Sequence, residues 1–341
     1  MTKLILSTSY VIEKATIAHA LSLYRSNIMS GGASSMSQTS NTELTNSLRA
    51  NFEASIELVP TTNGNGTVTP EHQPRPDYTK WTSQVEDEST IYIPALDFGN
   101  SQLQEEREQY DITVKLFYLP GVSPAKREEQ TREALDLVLK ELHMPSVDLL
   151  IVSFPGIYFD EESEDCPDKI KSRGPIEADP EDVATQIDTW RILEKLHDEG
   201  LVLRLGLSEF GTERLQPFLE KTRIRPSVDQ INLRDCCSVP KPLLSLAKNN
   251  SIELLVHNDS TNVLPRGTVR ELLGHGSDGA GVLAINGEKV GEKRKEREGE
   301  ESVKGIQGDV EPQWVVKYTA VVKNRGVVEN KGYFAVAEVR K

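Results

Sequence analysis

Val147-Asp148-Leu149-Leu150-Ile151-Val152-Ser153-Phe154-Pro155 is a nearly unbroken apolar run of strand length. A strand with one wet face alternates apolar and polar residues, whereas one covered on both faces is apolar throughout. The run therefore predicts a parallel strand with cover on either side, and the flanking sequence supplies the helices. Before it, Leu135, Leu139 and Leu142 share a helical face, and Ser123-Pro124 opens that helix with Pro at a favoured first position. After it, Asp179-Pro180-Glu181-Asp182 combines a capping acid with Pro and first-turn acids. Val183, Ile187, Trp190, Leu193 and Leu196 follow at spacings of four and three, and Gly200 ends the helix. Trp190 reads as core.

The same unit recurs outward. Residues 111–117, 201–207, 228–233 and 252–257 read as strands, and 212–221 and 240–249 as helices. A helix over 313–323 and a last strand from Gly326 complete the downstream half. Upstream, Leu44, Leu48, Phe52 and Ile56 line one face of a helix over 42–56, residues 90–93 form a short strand, and one further strand precedes Thr42. About eight strands alternating with helices predict an α/β fold, a (β/α)8 TIM barrel. An open doubly wound sheet is the alternative, but no Gly-x-Gly-x-x-Gly turn follows any strand. Such a barrel needs about 250 residues, and the chain has 341. The surplus falls in three polar, Gly- and Pro-rich stretches, 60–88, 161–178 and 265–309, expected to be disordered insertions in one domain spanning 1–341.

Composition excludes several classes of function. The net charge of −14 leaves no clustered basic surface for nucleic acid or anionic lipid. The one dense basic run, Lys293-Arg294-Lys295-Glu296-Arg297, is interleaved with Glu and reads as solvated loop. No apolar stretch approaches the roughly 20 residues of a membrane span, and Met1 to Ser7 has no secretory cleavage pattern. Three cysteines give neither a disulfide framework nor a paired metal site. A soluble, cytoplasmic protein without a metal is expected.

From Asp111 to Gln230 the chain resembles the aldo/keto reductases. Ile112-Thr113-Val114-Lys115-Leu116 is similar to their third strand and the 147–155 run to their fourth. Trp190, Leu193, Leu196, Gly200, Gly206, Leu207, Ser208 and Phe210 are similar to the helix and strand that follow, and Gln230 to the sixth strand. A closer resemblance is to the light-chain, or modifier, subunits of glutamate–cysteine ligase. It is carried by Gln230-Ile231-Asn232-Leu233-Arg234-Asp235-Cys236-Cys237, by Leu254-Leu255-Val256-His257-Asn258-Asp259, and by the stretch from Tyr318 to Gly332.

The reductase resemblance implies a tyrosine that gives a proton while nicotinamide gives hydride, tuned by Lys and Asp, with a His orienting the carbonyl. Lys115 matches the lysine, Ser153 stands at the His position, and, aligned on Asp97-Phe98-Gly99-Asn100, Phe98 and Ile93 replace the tyrosine and aspartate. Phe has no proton to give, so no catalytic residue is expected. No cofactor is expected either, although Ser208, Gln230 and Lys331 are residual NADP contacts, with Glu209 where an Asn would stand.

The modifier-subunit resemblance implies a heterodimer with the ligase catalytic subunit in glutathione biosynthesis, making that subunit more effective and less sensitive to glutathione. Cys236 and Cys237, at a strand end, are partner-contact candidates or core filler. His257, Asn258 and Asp259 are partner candidates too, with a hydrogen-bonded strand end as the alternative reading. Against a regulatory subunit stand an NADP-dependent oxidoreductase with a displaced catalytic set and a scaffold for another partner.

Overall fold

A computed structural model describes residues 1–9, 40–59, 76–85, 89–99, 103–159, 178–233, 238–260, 262–276, 278–284 and 305–340. In chain order the elements are β1 (Thr2–Ser7), α1 (Ser40–Glu57), β2 (Ser83–Gln84), β3 (Thr90–Ile93), β4 (Tyr110–Tyr118), α2 (Arg127–Leu142), β5 (Val147–Ser153) and α3 (Val183–Asp198). Then come β6 (Val202–Ser208), α4 (Thr212–Leu219), β7 (Val228–Ile231), α5 (Lys241–Asn249), β8 (Glu253–Val256), α6 (Arg266–Leu273), β9 (Asp309–Val322) and β10 (Val327–Arg340). All ten strands form one sheet in the order β2-β3-β1-β10-β9-β4-β5-β6-β7-β8.

From β4 to β8 the strands are parallel and joined by helices, the reductase-type α/β succession. All seven residues of β5 are buried. Leu150 and Val152 face α2 and α3, while Leu149 and Ile151 turn inward to Val228. In α3, the Asp182 side chain caps the Thr185 N–H at 2.8 Å, three residues later than Asp179. Ile187, Trp190, Leu193 and Leu196 are buried, each side chain contributing roughly 1.5–3 kcal/mol. The Trp190 indole N–H meets the Ile224 carbonyl at 2.7 Å, so the ring is buried without an orphaned donor.

The last β/α unit departs from the expected barrel. Of the expected 313–323 helix, residues 313–322 lie in β9, which turns at Lys323 to Gly326 into β10 as a long antiparallel hairpin. Trp314, Val316, Tyr318, Ala320 and Val322 recur at every second position and are buried on one face, a period of two that no helix can bury on one side. A register shift opposite Pro312 accommodates a residue with no N–H for the ladder. Gly332 is required here: a Cβ would lie 2.5 Å from the Tyr318 hydroxyl. The hairpin enters the sheet between β1 and β4 and is covered on both faces. α2 packs on one side, and α1 and α6 on the other, through Leu44, Leu48, Phe52, Val269, Leu272 and Leu273.

Two expected insertions also need correction. Within 265–309, α6 and the following turn are packed, with Leu272, Leu273 and Val282 fully buried; residues 285–304 lie outside the described residues. The apolar spacing of α6 is masked by the Gly and charge around it. Within 60–88, residues 76–85 form a short turn and β2, and Trp81 is buried 5.9 Å from the Phe52 ring. The 161–178 stretch lies outside the described residues except for Ala178.

Candidate functional site

Register assembles the site at the C-terminal ends of β4 to β8. Lys115 pairs with Ile151, Ile151 with Gly206, and Gly206 with Val228, so these four share an inward row. One step further, Phe117 pairs with Ser153 and Ser208 with Gln230. The Lys115 side chain, only 6% exposed, extends along this face and donates to Asp259 Oδ2 at 2.8 Å and to Gln230 Oε1 at 3.0 Å. Burial alone would raise the Asp259 carboxyl. The Lys115 ammonium, then His257 and the hydrogen bonds from Lys115 and Ser40, outweigh burial and hold it well below the usual carboxylate range.

Glu209, directly after β6, sits at φ 71°, a left-handed conformation costly for a side-chain-bearing residue. That backbone swings its carboxylate across the strand ends. It accepts the N–H groups of Phe159 at 2.6 Å and Asn232 at 3.0 Å, and lies 2.6 Å from His257 Nε2. Three strand-end loops are thereby tied to one carboxylate. On the outer side of β7, burial and the nearby Glu209 charge push the wholly buried Asp229 carboxyl well up, although the Phe210 N–H and Lys115 oppose them.

A second cluster continues from the first. Ser40, at the start of α1, donates to Asp259 Oδ1 and accepts from Lys317 Nζ at 3.2 Å. Glu43, one turn on, receives Lys317 at 3.0 Å, Lys331 at 3.1 Å and the Tyr333 hydroxyl at 2.6 Å. Burial opposes its ionisation, but Lys317, the Tyr333 hydroxyl and Lys331 prevail and lower the carboxyl to about 2. Ser40, Glu43, Lys317 and Tyr333 carry no local motif. Only the fold brings them together, across separations up to 290 residues.

The expected site residues divide accordingly. Lys115 and Ser153 lie on adjacent strands, but Ile93 and Phe98 do not join them. β3 stands four positions from β4 because β1 and the hairpin intervene, about 19 Å at 4.8 Å per strand. Ile93 is buried among inner-face residues. Phe98 turns to the helix-side core, edge-on to Tyr92 at 6.4 Å, with its carbonyl on the His143 ring. Of the partner candidates, His257 and Asp259 have side chains about one-tenth exposed and point inward. Asn258 is exposed, and Cys236 and Cys237 lie outside the described residues.

Ser208, His257 and Asp259 include the atoms of a nucleophilic triad, but the hydrogen bonds run the wrong way. His257 Nδ1 accepts the Asp259 backbone N–H at 3.0 Å, which leaves the ring proton on Nε2, directed at Glu209. The Ser208 hydroxyl, 3.3 Å from that same Nε2, has no base to take its proton. A nicotinamide dinucleotide does not fit the residues present. Gln230 Oε1 is held by Lys115, the Ser208 hydroxyl faces His257, and the buried Glu209 carboxylate fills the strand end between Ser208 and Gln230. Among the described residues, no group of three or more His, Cys, Asp or Glu is placed to hold a metal ion, and no helix is long and apolar enough to cross a membrane.

The chain is similar to several known proteins. The glutamate–cysteine ligase regulatory subunit of Homo sapiens is 25% identical over 76% of this chain and 80% of its own length. A Schizosaccharomyces pombe protein named for the same regulatory subunit is 29% identical over 68% of this chain and 72% of its own. Among solved structures, the aldose reductase of Schistosoma japonicum aligns with a TM-score of 0.31 and 29% identity. That alignment covers 44% of this chain and 46% of the reductase, so the chain spans under half of that structure's length. The profile described as "Aldo/keto reductase family" matches residues 85–260. With the matched segment spanning a little over half of the 341 residues, this chain belongs to the aldo/keto reductase family.

Proposed function

We propose that this chain is a non-catalytic regulatory subunit that binds the catalytic subunit of glutamate–cysteine ligase as a cytoplasmic heterodimer and raises its activity. One observation carries the reading: Lys115, which a reductase would use to tune its proton donor, is spent on Asp259 and Gln230 inside the protein, and Phe98 packs into the helix-side core. The similarity to proteins named as that ligase's regulatory subunits supports the choice of partner. A bound partner can change catalysis only through unequal affinity for the catalytic chain's conformations. Activation would therefore follow from tighter binding to the conformation with better glutamate affinity.

The partner surface includes the strand-end loops around exposed Asn258 and the Cys236-Cys237 doublet, on the sequence argument for that segment. Mixing the purified chains should give co-elution and a lower KM for glutamate. Separate elution with unchanged ligase kinetics would end the proposal. Cys236→Ser combined with Cys237→Ser should weaken association more than it lowers the melting temperature.

A further inference from the structure

Lys317 on β9 and Lys331 on β10 project from the same face of the hairpin, with Tyr333 directly opposite Lys317 in the ladder. The Lys317 ammonium also lies 5.3 Å over the Tyr333 ring. Two like charges fixed this close on one sheet face repel each other unless an anion lies between them. Here the anion is Glu43, delivered from a different element. Its two oxygens take all three donors, and Ser40 adds a hydroxyl beside Lys317. The other negative charge nearby is Asp259, reached through Ser40 and already matched by Lys115. Lys317, Lys331 and Glu43 each keep roughly a quarter of their side chains exposed, so the cluster opens to solvent.

We propose that Lys317, Lys331 and Tyr333 form an oxyanion site that Glu43 fills from within the chain, and that a phosphate dianion, free or as a monoester, competes for it. A phosphate presents more oxygens than a carboxylate and twice the charge, which suits two ammonium groups and a phenol. Entry of the ion would release the first turn of α1 from the hairpin. That turn also holds Asp259 through Ser40, so the occupant of the site is coupled to the Lys115 network.

Thermal unfolding of Glu43→Ala at pH 8, with inorganic phosphate titrated against sodium chloride at constant ionic strength, tests this. The variant should be stabilised saturably, its folding equilibrium shifting about elevenfold when phosphate reaches ten times its Kd. Wild type should respond less because Glu43 competes. Lys317→Met with Lys331→Met in the Glu43→Ala background should abolish the response. Glycerol 3-phosphate in place of phosphate distinguishes an ester from the free ion, and a response to either supports the site. Should Glu43→Ala not fold, phosphate line broadening in Glu43→Gln by phosphorus NMR gives the same reading. Equal phosphate responses in wild type, Glu43 variant and lysine variants would overturn the proposal.

Discussion

Replacing Lys115 by Met keeps the side-chain length and removes the charge. Asp259 would then stay about nine-tenths buried with the Ser40 hydroxyl still donating to it, while Gln230 Oε1 loses its donor. Removing one member of a buried ion pair strands the other, a cost of about 3–5 kcal/mol. Adding Asp259→Asn removes the stranded charge and should return the protein to within about 1–2 kcal/mol of wild type, a rescue of roughly 2 kcal/mol over Lys115→Met alone. Urea unfolding followed by tryptophan fluorescence measures each corner of the cycle. The pH dependence supplies an independent check. In wild type the Asp259 carboxyl titrates below its unfolded value of 3.8, so its stabilisation is complete above that pH and lost as pH falls beneath it. In Lys115→Met, burial without the ammonium pushes the same carboxyl up, and protonation relieves the variant as pH falls. The gap between the two proteins must therefore narrow on acidification. A cost under about 1 kcal/mol at pH 7, or a gap that holds constant down to pH 4, would refute the buried-pair reasoning. NADPH-dependent aldehyde turnover in wild type that vanished in Lys115→Met would refute the regulatory reading as well.

Asp229→Asn should stabilise the protein at pH 8 and do little at pH 4. Burial raises the native carboxyl above 3.8, so wild type loses stability as pH climbs through that range, and the amide removes the slope. Trp314→Ala, on a wholly buried hairpin position, should cost about 3–5 kcal/mol by chemical denaturation; a loss under 1 kcal/mol would mean that the hairpin is peripheral. A Gly/Ser linker in place of residues 285–304 should leave the melting temperature nearly unchanged. Extending the replacement back to 265 removes α6 and should lower the temperature by many degrees, since Val269, Leu272 and Leu273 are fully buried.

The parallel half was legible because two-sided burial and amphipathic spacing are written locally. The β5 run could only be a covered strand, and the Val183–Asp198 spacing only a helix against it. The hairpin was equally legible in the alternation from Trp314 to Val322, but counting β/α units put a helix there. The resemblance identified Lys115 without its partner. Asp259 lies 144 residues away and Glu43 pairs with residues some 280 away, so no local pattern links them. The same distance effect separated Ile93 from Lys115: alignment preserves position along the chain, while the inserted hairpin changed position across the sheet.

That hairpin also sets an order of events during synthesis. β1 bonds on one side to β3 and on the other to β10, with Thr2 opposite Val339 and Ser7 opposite Phe334. β4 likewise needs β9 on its flank. While the ribosome is still producing residues 260–308, β1 and β4 both present open backbone edges that nothing yet made can cover. At about 5–20 residues per second, the roughly 220 residues between the end of β4 and the end of β10 take about 10–45 seconds to make. The sheet is completed only when residues 309–340 thread into its middle, so the nascent chain should depend on holding chaperones until β10 has been made.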